Sequence, residues 1–138
     1  MCGIIGINSN RAVSSTIINS LKKLEYRGYD SAGIATLYNN EINEVKSEGR
    51  VDNLENNLIV QKMEGTIGIG HVRWATHGLP NSINAHPHSS QNVSVVHNGI
   101  IENSTLLKKF LVSKGHKFKS QTDTEAVSYT HLTLPTKA

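Results

Sequence analysis

Residues 1–10 read MCGIIGINSN. Within them, Gly3–Ile7 is an apolar run punctuated by glycine, which predicts a short buried strand at the very start of the chain. Cys2 stands just ahead of that strand and is the only cysteine among 138 residues. One cysteine cannot close an internal disulfide, so a reducing, cytoplasmic setting is expected. Its neighbour Met1 would be trimmed if processed as initiator methionines are before small side chains, leaving Cys2 with a free α-amino group. That amine has a reference pKa of about 7.7–8.0 and a thiol about 8.5. The amine could therefore take the thiol proton, directly or through a water, near neutral pH. A small buried hydrophobe beginning a strand fits the same position, and position alone does not choose between them.

Outward from this strand, Val13, Ile17, Ile18, Leu21 and Leu24 recur at helical spacing and predict a helix over 11–26. SAGIATL (31–37) and EINEVKSE (41–48) read as strands joined by a turn at Asn39-Asn40. Asp52 is placed to cap a short helix carrying Leu54, Leu58 and Met63. TIGIGHVRWAT (66–76) is a further strand, and the turn-forming residues from His77 to Asn92 predict a loop. NVSVV (92–96) is a strand, and Asn103 is placed to cap a helix with Leu106, Leu107, Phe110 and Leu111 that stops near Gly115. The order is β-α-β-β-α-β-β-α, a mixed α/β pattern without an internal repeat.

Several function classes fall away on composition. Net charge is +3, yet Lys22, Lys23, Lys108, Lys109, Lys114, Lys117 and Lys119 form no stripe interleaved with aromatics, so no nucleic-acid partner is expected. No run approaches the ~18 apolar residues of a membrane span, and the N-terminus lacks the pattern of a signal peptide. The last residues, VSYTHLTLPTKA (127–138), contain Pro135 and a threonine-rich run that should not continue a helix begun at Thr122-Asp123-Thr124-Glu125. They match the translation of a transposase sequencing adapter and are expected to be a non-native tail after residue 126.

Five further stretches carry chemistry. They are LEYRGYDSAG (24–33), GHVRWATHG (70–78), NAHPH (84–88), VVHNGIIEN (95–103) and TDTE (122–125). Asn98-Gly99 at a strand end could be an ordinary turn, or an amide and an N–H aimed at a developing oxyanion. Arg73 could clamp a carboxylate or simply belong to a strand, and Asp123 could bind an ammonium or cap a helix. His71, His77, His86, His88 and His97 crowd one region, and His86-Pro87-His88 looks like a metal pair. Their spacing is not that of a zinc site, so structural hydrogen bonding is expected and no metal.

Together with CGIIG, these stretches resemble, in order and at matching intervals, the glutamine amidotransferases of the N-terminal-nucleophile hydrolase superfamily. Within it they resemble the glutaminase domain of the isomerizing glutamine–fructose-6-phosphate aminotransferases, over residues 2–126. The resemblance implies an α+β fold, a four-layer αββα sandwich, with Cys2 between two sheets. It implies Cys2 as nucleophile, Asn98 and Gly99 as oxyanion donors, and Arg73 and Asp123 as the groups that bind the α-carboxylate and α-ammonium of L-glutamine. Trp74, Thr76 and His77 match residues that line the glutamine pocket; Arg27, Gly28 and His86 match supporting positions. No cofactor is implied. Ammonia would pass to a sugar-isomerising domain that aminates fructose 6-phosphate, in a homodimeric parent. That domain is not among these residues, and the match stops soon after Asp123. The chain alone is therefore expected to be incomplete, and unstable or weakly active. A glutaminase serving a phosphoribosyl or asparagine-forming acceptor, and a non-catalytic histidine-rich binding module, are the alternatives.

Overall fold

The computed structural model describes residues 2–74 and 79–133, the side chains of 131–133 excepted. The opening run forms β1 (Gly3–Asn8), antiparallel to β4 (Ile67–Arg73) with Gly3 opposite Val72 and Ile4 opposite His71. β4 also pairs with β2 (Ser31–Tyr38), which pairs with β3 (Glu41–Glu48), so the sheet order is β1-β4-β2-β3. Asn39 and Asn40 both take positive φ (50° and 61°), the geometry a two-residue hairpin requires.

The pleat sorts the chemistry. Side chains alternate along a strand, so Val72, Ala32 and Ile34 face one way. There they meet Val13, Ile17, Ile18 and Leu21, and all seven belong to one apolar core with Val51, Leu54, Val60 and Met63. A buried Leu or Ile contributes roughly 1.5–3 kcal/mol through removal from water, so this face holds the fold together. His71 and Arg73 face the other way, toward a second sheet.

That second sheet is β5 (His88–Ser90) paired with β6 (Val93–Val95). It packs under α5 (Thr124–Thr133), which lies against α4 (Ser104–Ser113). With α1 (Ser14–Leu24), α2 (Val51–Glu55) and α3 (Leu58–Gln61) on the first face, the layers run α, β, β, α as the resemblance implied. The two sheets come close where His86 passes beneath β2: a Cβ on Gly33 would stand 1.8 Å from the His86 carbonyl oxygen.

Four local expectations are corrected. The first helix starts at Ser14 because Val13 N–H is drawn to Gly65 O (3.0 Å), and it tightens into a 3₁₀ turn at Glu25–Arg27. Asp52 is not a cap; Arg50 holds that position, and Asn57 splits the segment by accepting from Ile59 N–H at 2.9 Å. The loop after His77 contains β5, whose two serines hid it. The helix begun at Thr124 runs on to Thr133. Ser128 and Thr130 hydroxyls donate to the carbonyls of Glu125 and Val127, while the Tyr129 ring packs on Phe118 and His116. In α4 only Leu111 is buried, and Leu106 and Phe110 stay exposed.

Candidate functional site

Extending the β1–β4 register by one residue sets Cys2 beside the end of β4. Its half-buried thiol lies on the Trp74 backbone: Trp74 N–H donates to Sγ at 3.3 Å, and Sγ stands 3.6 Å from the Trp74 carbonyl oxygen. The Cys2 carbonyl is gripped twice, by Arg27 Nε and by Asn98 Nδ2, each at 2.9 Å. Residues that are 25 and 96 positions away in sequence thus meet on one peptide group.

Arg27 ends the 3₁₀ turn, and Gly28 follows because nothing larger fits. A Cβ there would be 2.5 Å from the Arg73 carbonyl carbon. Tyr29 stands edge-on to Trp74 at 6.4 Å, with the Arg50 guanidinium 4.9 Å above the Tyr29 ring. Trp74 remains half exposed.

Arg73 is buried and donates from Nη1 to the Leu79 carbonyl at 2.9 Å. The same carbonyl accepts from Asn84 Nδ2 (2.9 Å), which also donates to Gln121 Oε1 (3.0 Å); Gln121 N–H returns to Asn84 Oδ1 at 2.7 Å. Asp123 lies two residues beyond this knot and accepts from Ile101 N–H at 2.6 Å. The sequence reading gave Arg73 and Asp123 polar roles but did not foresee these backbone partners. Nor did it give a role to Asn84, although it opens the NAHPH stretch, or to Gln121, which lies in no motif. Thr76 and His77 lie outside the described residues.

His71, His86 and His88 are buried, with His71 and His86 stacked at 4.0 Å and His88 edge-on to His86 at 4.7 Å. Burial, reinforced by neighbouring cationic groups, pushes His71 down to about 4, His88 to about 3 and His86 lower still, so the rings are neutral at pH 7. His88 Nε2 meets Thr122 Oγ1 at 2.7 Å and His71 Nε2 meets the His97 carbonyl at 3.1 Å. Among the described residues no three His, Cys, Asp or Glu side chains are grouped to hold a metal ion, and no helix is long and apolar enough to cross a membrane.

A family model for the glutamine amidotransferase domain matches residues 55–134. The isomerizing glutamine–fructose-6-phosphate aminotransferase of Mesorhizobium japonicum is 55% identical over 129 residues, covering 94% of this chain and 21% of its own length. That of Clostridium acetobutylicum is 56% identical over 129 residues, covering 92% and 21%. Among solved structures, the glutamine phosphoribosylpyrophosphate amidotransferase of B. subtilis, complexed with ADP and GMP, superimposes with a TM-score of 0.84 at 27% identity. It covers 100% of this chain and 30% of its own. The chain spans about a fifth of the length of the curated relatives it matches.

Proposed function

The chain belongs to the glutamine amidotransferase domain family, and from that premise we propose that it carries the residues that release ammonia from L-glutamine. With Met1 removed, the α-amino group of Cys2 takes the thiol proton and Sγ attacks the side-chain amide carbon of glutamine. The oxyanion formed is met by the Asn98 side-chain amide and the Gly99 N–H. Collapse breaks the C–N bond, the leaving nitrogen takes the proton and departs as ammonia, and a thioester remains. Water, activated by the same amine, releases glutamate and restores the thiol. Arg73 clamps the α-carboxylate and Asp123 receives the α-ammonium. Trp74, Thr76 and His77 line the pocket, and Arg27, Gly28 and His86 support it.

The observation that carries this reading is the joint hold of Arg27 and Asn98 on the Cys2 carbonyl, at 2.9 Å each, with Sγ facing the Trp74 N–H. It brings the proposed nucleophile and one proposed oxyanion donor to the same peptide group from distant parts of the sequence. Identities of 55–56% to the sugar-phosphate aminotransferases favour fructose 6-phosphate as acceptor of the ammonia, giving glucosamine 6-phosphate in a cytoplasmic, homodimeric parent. The 27% likeness to a phosphoribosyl enzyme supports that acceptor only as a second reading. Glucosamine 6-phosphate against phosphoribosylamine formation, assayed with the whole protein that contains this sequence, separates the two.

The hydrolytic step is tested by treating the chain with an electrophilic glutamine analogue and mapping the adduct by mass. The expected adduct is on the Met-free N-terminal peptide. Cys2→Ala should abolish it and lower ammonia release by more than about 10³-fold. Ammonia release that survives Cys2→Ala would sink the proposal.

A further inference from the structure

We infer that His71 is a positioning residue for the proposed oxyanion donors, holding from the middle of β4 the carbonyl of His97 and so the peptide that leads into Asn98-Gly99. The inference rests on the glutamine-hydrolysis reading, but its geometry stands apart from it. His71 is fully buried in β4, a strand paired on both sides, opposite Ile4 on β1 and Gly33 on β2. Its ring crosses from that sheet to the segment that begins at His97, with Nε2 3.1 Å from the His97 carbonyl oxygen.

The proton assignment follows from chemistry. A carbonyl oxygen only accepts, so Nε2 must carry the hydrogen. Burial keeps the ring neutral at pH 7, so Nδ1 is then a bare acceptor, and it is buried without a hydrogen-bond partner among the described residues. The stack on His86 at 4.0 Å sets the plane of the ring and therefore the direction of the N–H. The alternative tautomer would set a lone pair against the carbonyl oxygen, leaving both groups unsatisfied in a site from which water is excluded.

The segment that receives this bond is tied elsewhere too. The His97 ring meets Thr124 Oγ1 at 3.2 Å, Asn98 Nδ2 reaches the Cys2 carbonyl, and Ile101 N–H is held by Asp123. The Thr124 and Asp123 ties come from the start of α5, and the His71 tie from the central sheet that also carries β1 behind the nucleophile. It therefore fixes the distance between nucleophile and donors. Oxyanion donors act only within a few tenths of an ångström of their optimum, and the loss of one typically lowers kcat by 10²–10³-fold.

The test compares His71→Leu, which removes the N–H, with His71→Gln, whose amide nitrogen reaches where Nε2 sits. In the 138-residue chain, His71→Leu should lower kcat for glutamine hydrolysis by about 10²–10³-fold with KM within about threefold. Alkylation of Cys2 by iodoacetamide, which passes through no oxyanion, should be unchanged. His71→Gln should recover kcat to within about tenfold. The Gly99 amide resonance should move in His71→Leu and return in His71→Gln. Equal losses in both variants with the Gly99 resonance unmoved would overturn the inference, as would an unaltered kcat in His71→Leu. If the unsubstituted chain neither releases ammonia nor is labelled at Cys2 by the electrophilic glutamine analogue, the hydrolysis reading fails, while the Gly99 comparison still decides the positioning role. If His71→Leu does not fold, the scalar coupling across the hydrogen bond from His71 Nε2 to the His97 carbonyl carbon decides it, and its absence counts against the inference.

Discussion

Up to Arg73 the buried side chains are chiefly hydrocarbon, with Ile17, Leu21, Ile34, Leu54 and Val72 at the centre; from Leu79 on those described are Asn84, His86, His88, Ser120, Thr122, Thr124, Glu125 and Ser128, with Ala85, Pro87, Leu111 and Ala126 as their apolar companions. The two regions are stabilised in different ways. Apolar burial is non-directional and large in sum, so the first region supplies a stiff sheet. Hydrogen bonds add less net free energy but fix atoms to a few tenths of an ångström, so the second region places groups. Cys2 lies at the seam, attached to the stiff sheet and gripped by Asn98 from the polar region.

If this contrast is right, truncation should hurt most in the first region. Leu21→Ala removes a fully buried side chain from the main core and should cost about 2–5 kcal/mol in a urea melt. A loss below ~1 kcal/mol would mean that the core collapses around the gap and is not the frame proposed here.

Acid should act on the second contrast, between stacked histidines and an unfolded chain in which they titrate near 6.5. The folded-state values of His71 and His88 are depressed to about 4 and about 3, so the unfolded chain binds more protons once pH falls below about 6.5. Stability is therefore full above that pH and is lost as pH falls toward about 4, on the order of 3 kcal/mol from His71 alone. Melts across pH 7 to 4 should show this slope, and His71→Gln should reduce it; an unchanged slope would place the acid sensitivity elsewhere.

The smallest effect is expected where one polar group serves many. Glu125 accepts from Lys119 N–H at 2.9 Å and from the Ser120 N–H and hydroxyl at 2.6 Å each, with the Tyr129 hydroxyl at 3.3 Å. Glu125→Gln leaves one oxygen acceptor and should cost roughly 1–3 kcal/mol. Faster hydrogen exchange at Ser120, with the amides of β4 unaffected, would show the two regions uncoupled. Equal acceleration in both would show a single cooperative unit and break the comparison.

The same contrast explains what the sequence disclosed. Strands and helices of the first region announce themselves through periodic apolar residues, as in α1, and the β2–β3 hairpin through paired asparagines. β5 carries two serines, and α5 owes its continuation to side-chain hydrogen bonds and to the Tyr129 ring; neither has an apolar signature. At the site, Cys2 stood out as a lone thiol beside the start of the chain, whereas Arg27 and the oxyanion reading of Asn98 came only through the family resemblance, since an Asn-Gly pair is as often an ordinary turn. The backbone partners of Arg73 and Asp123, and the Asn84–Gln121 exchange, were not, since amide–carbonyl complementarity depends on a fold that must already exist.

The sheet order has a practical consequence. β3, at one edge, carries Glu41, Glu44, Lys46 and Glu48, and alternating charges on an edge strand discourage a neighbouring chain from adding to it. β1, at the opposite edge, reads GIIGIN and has no charge, and Ile4 is about half exposed. Concentration is thus a variable in any assay of this molecule: a strand that adds to the bare edge does so next to Cys2, and loss of reactivity on concentration would record self-association rather than a spent thiol.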